Sequence, residues 1–447
     1  MLLLSDFSHG RRFMFSLKKK NPPHGAAAWL ATVCMGLLVL TALFELIHTA
    51  ALGAISPVLT VAGIEMAVLL IARIAQTGHQ PWWMAIPCAG CIVLFFYMNN
   101  WATTRYHASL LVTAGLCGIW TIAGCMLLLR KKDTLAAFPK RPAYILLALV
   151  LCWGLIWGGN VYADKHRSGN ASPALWAVPM QWDTTDASAQ GTIEEIFYET
   201  RAYATDERKV TKSALVYLPA GYDPSKQYNI LYLLHGTGDD QYYWLRTNPA
   251  NKIMLDQMIA AGEIEPLIVV TPTFYCEDDC KESTQALEKL TYAFQEELRS
   301  DLMPAVESKY ATYALTADAA SFEASRHHRA FAGLSRGAVT TYRSVMCGAL
   351  DYFAVFGAFS GARISADYYQ AHTQDDAFGE YSIDYLYIAT GNFDFALPQQ
   401  LMDYQAMLAI EARLTAGENT TLDIFPMRYH SMGNWHLALY NFLQKIF

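Results

Sequence analysis

The stretch FAGLSRGAVT, residues 331–340, decides how the second half of this chain is read. Its core is Gly333-Leu334-Ser335-Arg336-Gly337. An apolar run precedes it, and AVTTYRSVM, 338–346, is suited to a helix after it. Strand, tight turn and helix are the context in which a G-x-S-x-G segment lifts a serine to the edge of a sheet. The glycines then have a steric reason, because side chains at Gly333 or Gly337 would collide with neighbouring backbone. At the N-terminal end of the helix, the partial positive charge favours negative charge developing nearby. Ser335 is therefore the candidate nucleophile.

Outward from this segment, apolar runs recur. SALVYLPAGYD (213–223) alternates and then turns. YNILYLLHGTGDD (228–240), PLIVVTPTF (266–274), RAFAGLSRG (329–337) and YLYIATGNFD (385–394) are continuous. Continuous runs suit strands buried on both faces of a parallel sheet. Between them lie helix-like segments at 252–261, 285–309, 338–350 and 400–416. Alternating strands and helices predict an α/β domain over 190–447 with a mostly parallel, doubly wound sheet.

A serine hydroxyl needs a base, and the base needs an orienting acid. In this kind of sheet the order along the chain is Ser, acid, His. Asp394 follows an apolar run and a turn, whereas Asp384 precedes that run and Asp403 falls on the next helix. Of the histidines after Ser335, His372 precedes the acid and His436 falls in the final helix. His430 follows TLDIF (421–425), read as the last strand, and precedes WHLALYNFLQKIF (435–447). Asp394 and His430 are thus the candidate acid and base. The oxyanion hole should use the backbone N–H of Arg336 and one from the loop after the LLHG strand, assigned to Thr237. This chemistry calls for no cofactor and no metal.

The 447 residues are 53% hydrophobic, with a mean hydropathy of +0.16. The excess lies between residues 26 and 163. Five apolar blocks, about 26–47, 54–75, 82–99, 108–129 and 143–162, each approach the roughly 20 residues that span a hydrocarbon core as a helix. The first is too long, and too soon followed by another, for a cleavable signal peptide. Residues 1–163 therefore read as a multi-span membrane region, 164–189 as a linker through the polar DKHRSGNASPA (164–174), and 190–447 as the α/β domain. Lys and Arg set the orientation. Arg11, Arg12, Lys18, Lys19, Lys20, Arg73, Arg130, Lys131, Lys132, Lys140 and Arg141 fall on one side, and Arg105, Lys165 and Arg167 on the other. The N-terminus is expected in the cytoplasm and the α/β domain outside it, with the lipid bilayer as a partner. Trp82, Trp83, Trp101, Trp153 and Trp157 fit interfacial anchoring. Glu45, His48 and Glu65 lie in or near spans; an ionisable residue at depth is a functional candidate, and the competing reading, which is favoured, is helix-to-helix hydrogen bonding or a position nearer the interface. A net charge of −7 and no basic stripe exclude nucleic acid as the expected partner.

The residues of the second half resemble the putative-esterase family of α/β hydrolases. That family includes esterase D (S-formylglutathione hydrolase), feruloyl and acetyl-xylan esterases, enterochelin esterases and mycolyltransferases. VYLPAGYD, YLLHGTGDD, FAGLSRG, DYFAVFGAFSGA, ATGNFD and the His430…Trp435…LYNFLQ run stand in the family's order over about 190–447. The resemblance implies Ser335, Asp394 and His430 as nucleophile, acid and base, with Thr237 and Arg336 as the oxyanion pair. It is nearest the feruloyl and acetyl-xylan branch, through LYNFLQ. Two departures stand out. Arg336 and Ala338 replace the family's frequent Met and Gly after the serine, and Arg428-Tyr429 replaces a frequent Gly-Gly before the histidine.

The expected function is a membrane-anchored serine esterase acting on a small ester or an acylated glycan. Transfer of the acyl group to a cell-envelope glycan or lipid is the alternative, since both use the same triad. An intact Ser, Asp and His set argues against a non-catalytic receptor. Of nine cysteines, Cys88 and Cys91 share CxxC spacing inside an apolar run and read as packing residues. Cys276 and Cys280 bracket a polar segment, EDD, and form either a disulfide or two thiols. The three acids assign no Ca²⁺ site by spacing.

Overall fold

The computed structural model describes residues 155, 158–167, 173–183, 189–276, 284–361, 364, 366–373 and 378–447. The apolar blocks up to residue 154, their flanking charges from Arg11 to Arg141, Glu45, His48, Glu65, the Cys88–Cys91 pair and Cys280 lie outside the described residues. Among the described residues, no helix is long and apolar enough to cross a membrane. Asn160–Phe447 forms a compact unit.

Eight strands form one sheet: β1 Thr192–Arg201, β2 Lys209–Leu218, β3 Asn229–Leu234, β4 Leu267–Thr271, β5 Arg329–Leu334, β6 Val355–Phe359, β7 Tyr385–Gly391 and β8 Thr420–Phe425. Their order is β1-β2-β4-β3-β5-β6-β7-β8. β1 with β2 and β2 with β4 are antiparallel, and every later pair is parallel. Among the helices are α1 Ala250–Ala260, α2 Thr284–Glu297, α3 Met303–Glu307, α4 Ala319–Ala324, α5 Arg336–Thr340, α6 Ala366–Thr373, α7 Leu397–Ile410 and α8 Met432–Leu443.

The continuous apolar runs are buried on both faces, as that pattern requires. Every residue of β3, β4, β5 and β6 is buried. Successive side chains go to opposite faces of a strand, and two cores result. Tyr232, Phe331 and Phe356 point to one, with residues of α2 and of the wider turn Thr341–Met346 that continues α5. Leu231, Leu233, Ala332 and Phe359 point to the other, with α1 and α8. The sheet is therefore mostly parallel with helices on both faces. The helix expected over 400–416 ends at Ile410, because Glu411 turns extended and pairs with Arg413 through two contacts of 2.6 and 2.8 Å.

Residues 164–189 read as a linker from their polar composition, yet part of that stretch is built into the domain. Ala174, Val178 and Trp182 are buried against the α8 side of the sheet. The Ala174 N–H donates to Asn441 Oδ1 at 2.9 Å, and Asn441 Nδ2 donates to the Ala174 carbonyl at 2.7 Å. Apolar residues scattered among prolines show neither a strand nor a helix period, so this packing was not legible as a pattern.

Candidate active site

Parallel strands end on the same edge of a sheet, so the loops after β3, β5, β6, β7 and β8 meet there. Ser335 is the single residue between β5 and α5. Its φ of +52° is in a region that side chains other than glycine rarely occupy. That conformation is the strain a nucleophile elbow carries. The two glycines are sterically required. A Cβ on Gly333 would lie 2.4 Å from the Gly337 backbone, and one on Gly337 would lie 2.6 Å from the His235 carbonyl oxygen.

Ser335, His430 and Asp394 come together. His430 Nδ1 is 2.8 Å from Asp394 Oδ1, and His430 Nε2 is 2.9 Å from Ser335 Oγ. A carboxylate only accepts, so the network assigns the ring hydrogen to Nδ1 and leaves Nε2 to accept from the serine hydroxyl. Asp394 is buried. Its Oδ1 also accepts from the Ala396 N–H at 2.9 Å, and its Oδ2 from Asn434 Nδ2 at 3.3 Å. The Asn434 amide donates as well to Ser360 Oγ at 2.7 Å, tying the loop after β6 to the acid. Sequence reasoning missed Asn434, because nothing local distinguishes an asparagine on a helix that reaches back to another loop.

The alternatives weighed in the sequence are placed elsewhere. His436 binds Asn251 Oδ1 at 2.7 Å and Asp183 Oδ1 at 3.1 Å. His372 is exposed on α6, with its ring nitrogen on the Tyr368 carbonyl. Asp384 precedes β7 and meets His327 at 2.6 Å. Asp403 binds the Ile364 N–H and Gln399.

Arg336 opens α5, so its backbone N–H belongs to the first turn, where helix donors face outward along the axis. Thr237 is exposed on the turn after β3. That turn lies against Ser335: a Cβ placed on Gly236 would be 3.2 Å from Ser335 Cβ. The Gly238 N–H donates to Tyr275 Oη at 3.0 Å and holds the turn in place. His235 is fully buried, with its ring nitrogens on the Gly236 carbonyl and Thr273 Oγ1. Both are thereby committed to holding the loop. Cys276 follows β4, and its expected partner Cys280 lies outside the described residues, so no pairing is placed.

Aromatic rings surround the histidine. Phe395 lies over His430 at 4.2 Å, and Trp435 meets it edge-on at 5.0 Å. Tyr243 meets Trp435 in turn at 6.3 Å.

Asp239 is the second residue that sequence reasoning missed. Its Oδ2 is 3.3 Å from the place a Gly236 Cβ would take, beside Ser335. Burial pushes its carboxyl up to about 6, assisted by Asp240 and opposed by the Gly236 N–H and by His430. The folded protein therefore holds a proton that the unfolded chain releases near 3.8. Folding stability falls as pH rises through that window, and the loss is complete above about pH 6. Asp239→Asn removes the ionisation. The variant's melting temperature should match the parent's near pH 4 and exceed it at pH 7, and an equal difference at both values would refute this assignment.

Residues 207–382 match the model of the family described as Putative esterase. That match includes Ser335 and stops short of Asp394 and His430. Endo-1,4-beta-xylanase Y of Acetivibrio thermocellus is 43% identical over 166 residues, which is 37% of this chain and 14% of that protein. The endo-1,4-beta-xylanase/feruloyl esterase of Xylanibacter ruminicola is 31% identical over 156 residues, 34% of this chain and 19% of that protein. The chain thus spans only a small part of these two relatives. A solved structure, a mutant feruloyl esterase module from Clostridium thermocellum complexed with sinapinate, is 31% identical with a TM-score of 0.54. The match covers 63% of this chain and 96% of the module.

Proposed function

We propose, from the premise that this chain belongs to the Putative esterase family of α/β hydrolases, that it hydrolyses aromatic acyl esters on polysaccharide through an acyl-enzyme on Ser335. The hydrogen-bonded chain Ser335–His430–Asp394 carries the reading. As Ser335 Oγ attacks the ester carbonyl carbon, its proton passes to His430 Nε2. Asp394 stabilises the imidazolium and fixes the ring. Negative charge collects on the carbonyl oxygen and is met by the Arg336 and Thr237 N–H groups. The intermediate collapses, the carbon–oxygen bond to the sugar breaks, and His430 returns the proton to the leaving alcohol. Water then attacks the acyl-enzyme with His430 as base, releasing the carboxylic acid and Ser335.

Two observations support the substrate class. The relatives include a feruloyl esterase by name and a feruloyl esterase module complexed with sinapinate. Phe395 and Trp435 pack against His430, and Tyr243 packs against Trp435, so aromatic rings lie close to the proposed base, where aromatic pairs add roughly 0.5–1.5 kcal/mol beyond burial. Residues 1–163 are taken as five membrane spans with a cytoplasmic N-terminus, on their apolar length and the loop charges. The catalytic unit then faces outward, toward polymers that cannot enter a cell. Transfer to an envelope glycan or lipid uses the same acyl-enzyme and differs only in the acceptor.

One experiment tests substrate and orientation together. Spheroplasts producing the full chain are given soluble feruloylated arabinoxylan, which does not cross a membrane, and free ferulate is measured. Release by intact spheroplasts, lost in Ser335→Ala, is expected. Release only after lysis would refute the outward orientation, and no release in either case would refute the substrate.

A further inference from the structure

The segment before β1 is joined to the loop that carries His430 by a continuous path of hydrogen bonds. Asp164 is buried, and its carboxylate accepts from three consecutive backbone N–H groups: Leu175 at 2.9 Å, Trp176, and Ala177 at 3.3 Å. Successive N–H groups around one anion form a nest, and donors to a charged acceptor are the stronger kind. Arg167 binds the other carboxylate oxygen at 2.9 Å. The turn so fixed presents the Trp176 carbonyl to Arg428 Nη2 at 2.6 Å.

Arg428 is two residues before His430. Its own carbonyl accepts from the Phe393 N–H at 2.9 Å, next to Asp394. The approach is so close that a Cβ on Gly391 would lie 2.1 Å from that carbonyl oxygen. Met427 donates its N–H to Asn392 Oδ1 at 2.9 Å. Residues 427 and 428 therefore zip the loop of the base to the loop of the acid, and Arg428 ties both to residues 174–178. The same segment grips α8 through Ala174 and Asn441, and through Asp183 and His436.

We propose that residues 160–167 and 173–183 act as a strap that positions His430, through Asp164, the 175–177 turn and Arg428. The inference rests on the triad reading above. Arg428 is a positioning residue, because it acts on the reaction through the placement of His430. Loss of the path lets the 427–431 loop drift, and a shift of about 1 Å in a proton-transfer group costs on the order of 10²-fold in rate. The strap holds the base, so turnover suffers while ground-state binding of ester does not.

The test uses the full chain in detergent with p-nitrophenyl acetate. Arg428→Gln and Asp164→Asn should each lower kcat by roughly 10- to 100-fold with KM within about twofold. Arg428→Lys keeps a donor for the Trp176 carbonyl and should recover most of the loss. Arg208→Ala removes an exposed 2.8 Å pair with Asp206 away from the strap and should leave kcat as it was. Ser335→Ala is run alongside. An inactive Ser335→Ala with undiminished kcat in the Arg428 and Asp164 variants would overturn the strap alone. So would a loss in Arg428→Gln that Arg428→Lys does not relieve. An active Ser335→Ala would overturn the triad reading, and the strap with it.

Discussion

Ser335→Ala should lower kcat by a factor on the order of 10⁶, with KM little changed. The hydroxyl makes the bond that defines the intermediate, so its removal eliminates the acyl-enzyme route and leaves only what the oxyanion donors and substrate binding supply. His430→Ala should cost about as much, because an unassisted hydroxyl is a poor nucleophile at neutral pH. The double variant should be no worse than either single one, since the two residues, 2.9 Å apart, act as one unit. Asp394→Asn should cost roughly 10⁴-fold. An amide at 394 donates where the carboxylate accepts, and the ring hydrogen is drawn to the wrong nitrogen. Initial-rate kinetics on p-nitrophenyl acetate read all four. Multiplicative losses in the double variant would show that the residues act independently, against the account.

The second large effect concerns stability. At the opposite end of β5 from Ser335, Arg329 and Glu307 form a buried pair with two contacts of 2.8 Å; their side chains are 1% and 0% exposed. Tyr232 and Thr312 donate to the carboxylate, and the guanidinium donates to the Phe322 and Tyr352 carbonyls and to Ser325. This pair fixes α3 and the start of β5, on which the elbow is built. Arg329→Met should destabilise the domain by about 3–5 kcal/mol, because Glu307 is left charged and buried without its partner. Adding Glu307→Leu should recover much of that, since an apolar pair removes the uncompensated charge. Denaturant midpoints followed by tryptophan fluorescence give the comparison. A loss under about 1 kcal/mol in Arg329→Met, on the scale of an exposed pair, would contradict it.

Much of this was written into local pattern. Strands β3, β4, β5 and β7 are runs of apolar residues because both of their faces are covered, and such runs survive any tertiary detail; β6 was not singled out as a strand. Gly333 and Gly337 mark the elbow because no other residue fits where backbones touch. Chain order then separated Asp394 from Asp384, and His430 from His436, since a residue just past a parallel strand lies at one edge and a residue before it at the other. β1 was not foreseen. TIEEIFYETR is an outer strand whose charged side chains pair laterally, so its composition resembles a solvated segment. Asn434, Asp239 and the strap were not foreseen for a different reason. Each acts through an interaction whose partner is distant in sequence: Asn434 reaches residue 394, Asp239 interacts electrostatically with His430, and Trp176 meets Arg428. Arg428-Tyr429, noted only as a departure before the histidine, gains a reason once Trp176 is seen to accept from it.

The central claim is that Ser335 is the nucleophile activated by His430. Its most direct measurement is covalent. The full chain is treated with a fluorophosphonate, digested, and the modified peptide identified by mass. One label per chain on Ser335 is expected, slowed by an ester substrate and by His430→Ala, and absent in Ser335→Ala. A label on another residue, or continued ester hydrolysis by protein with Ser335 fully modified, would contradict the account.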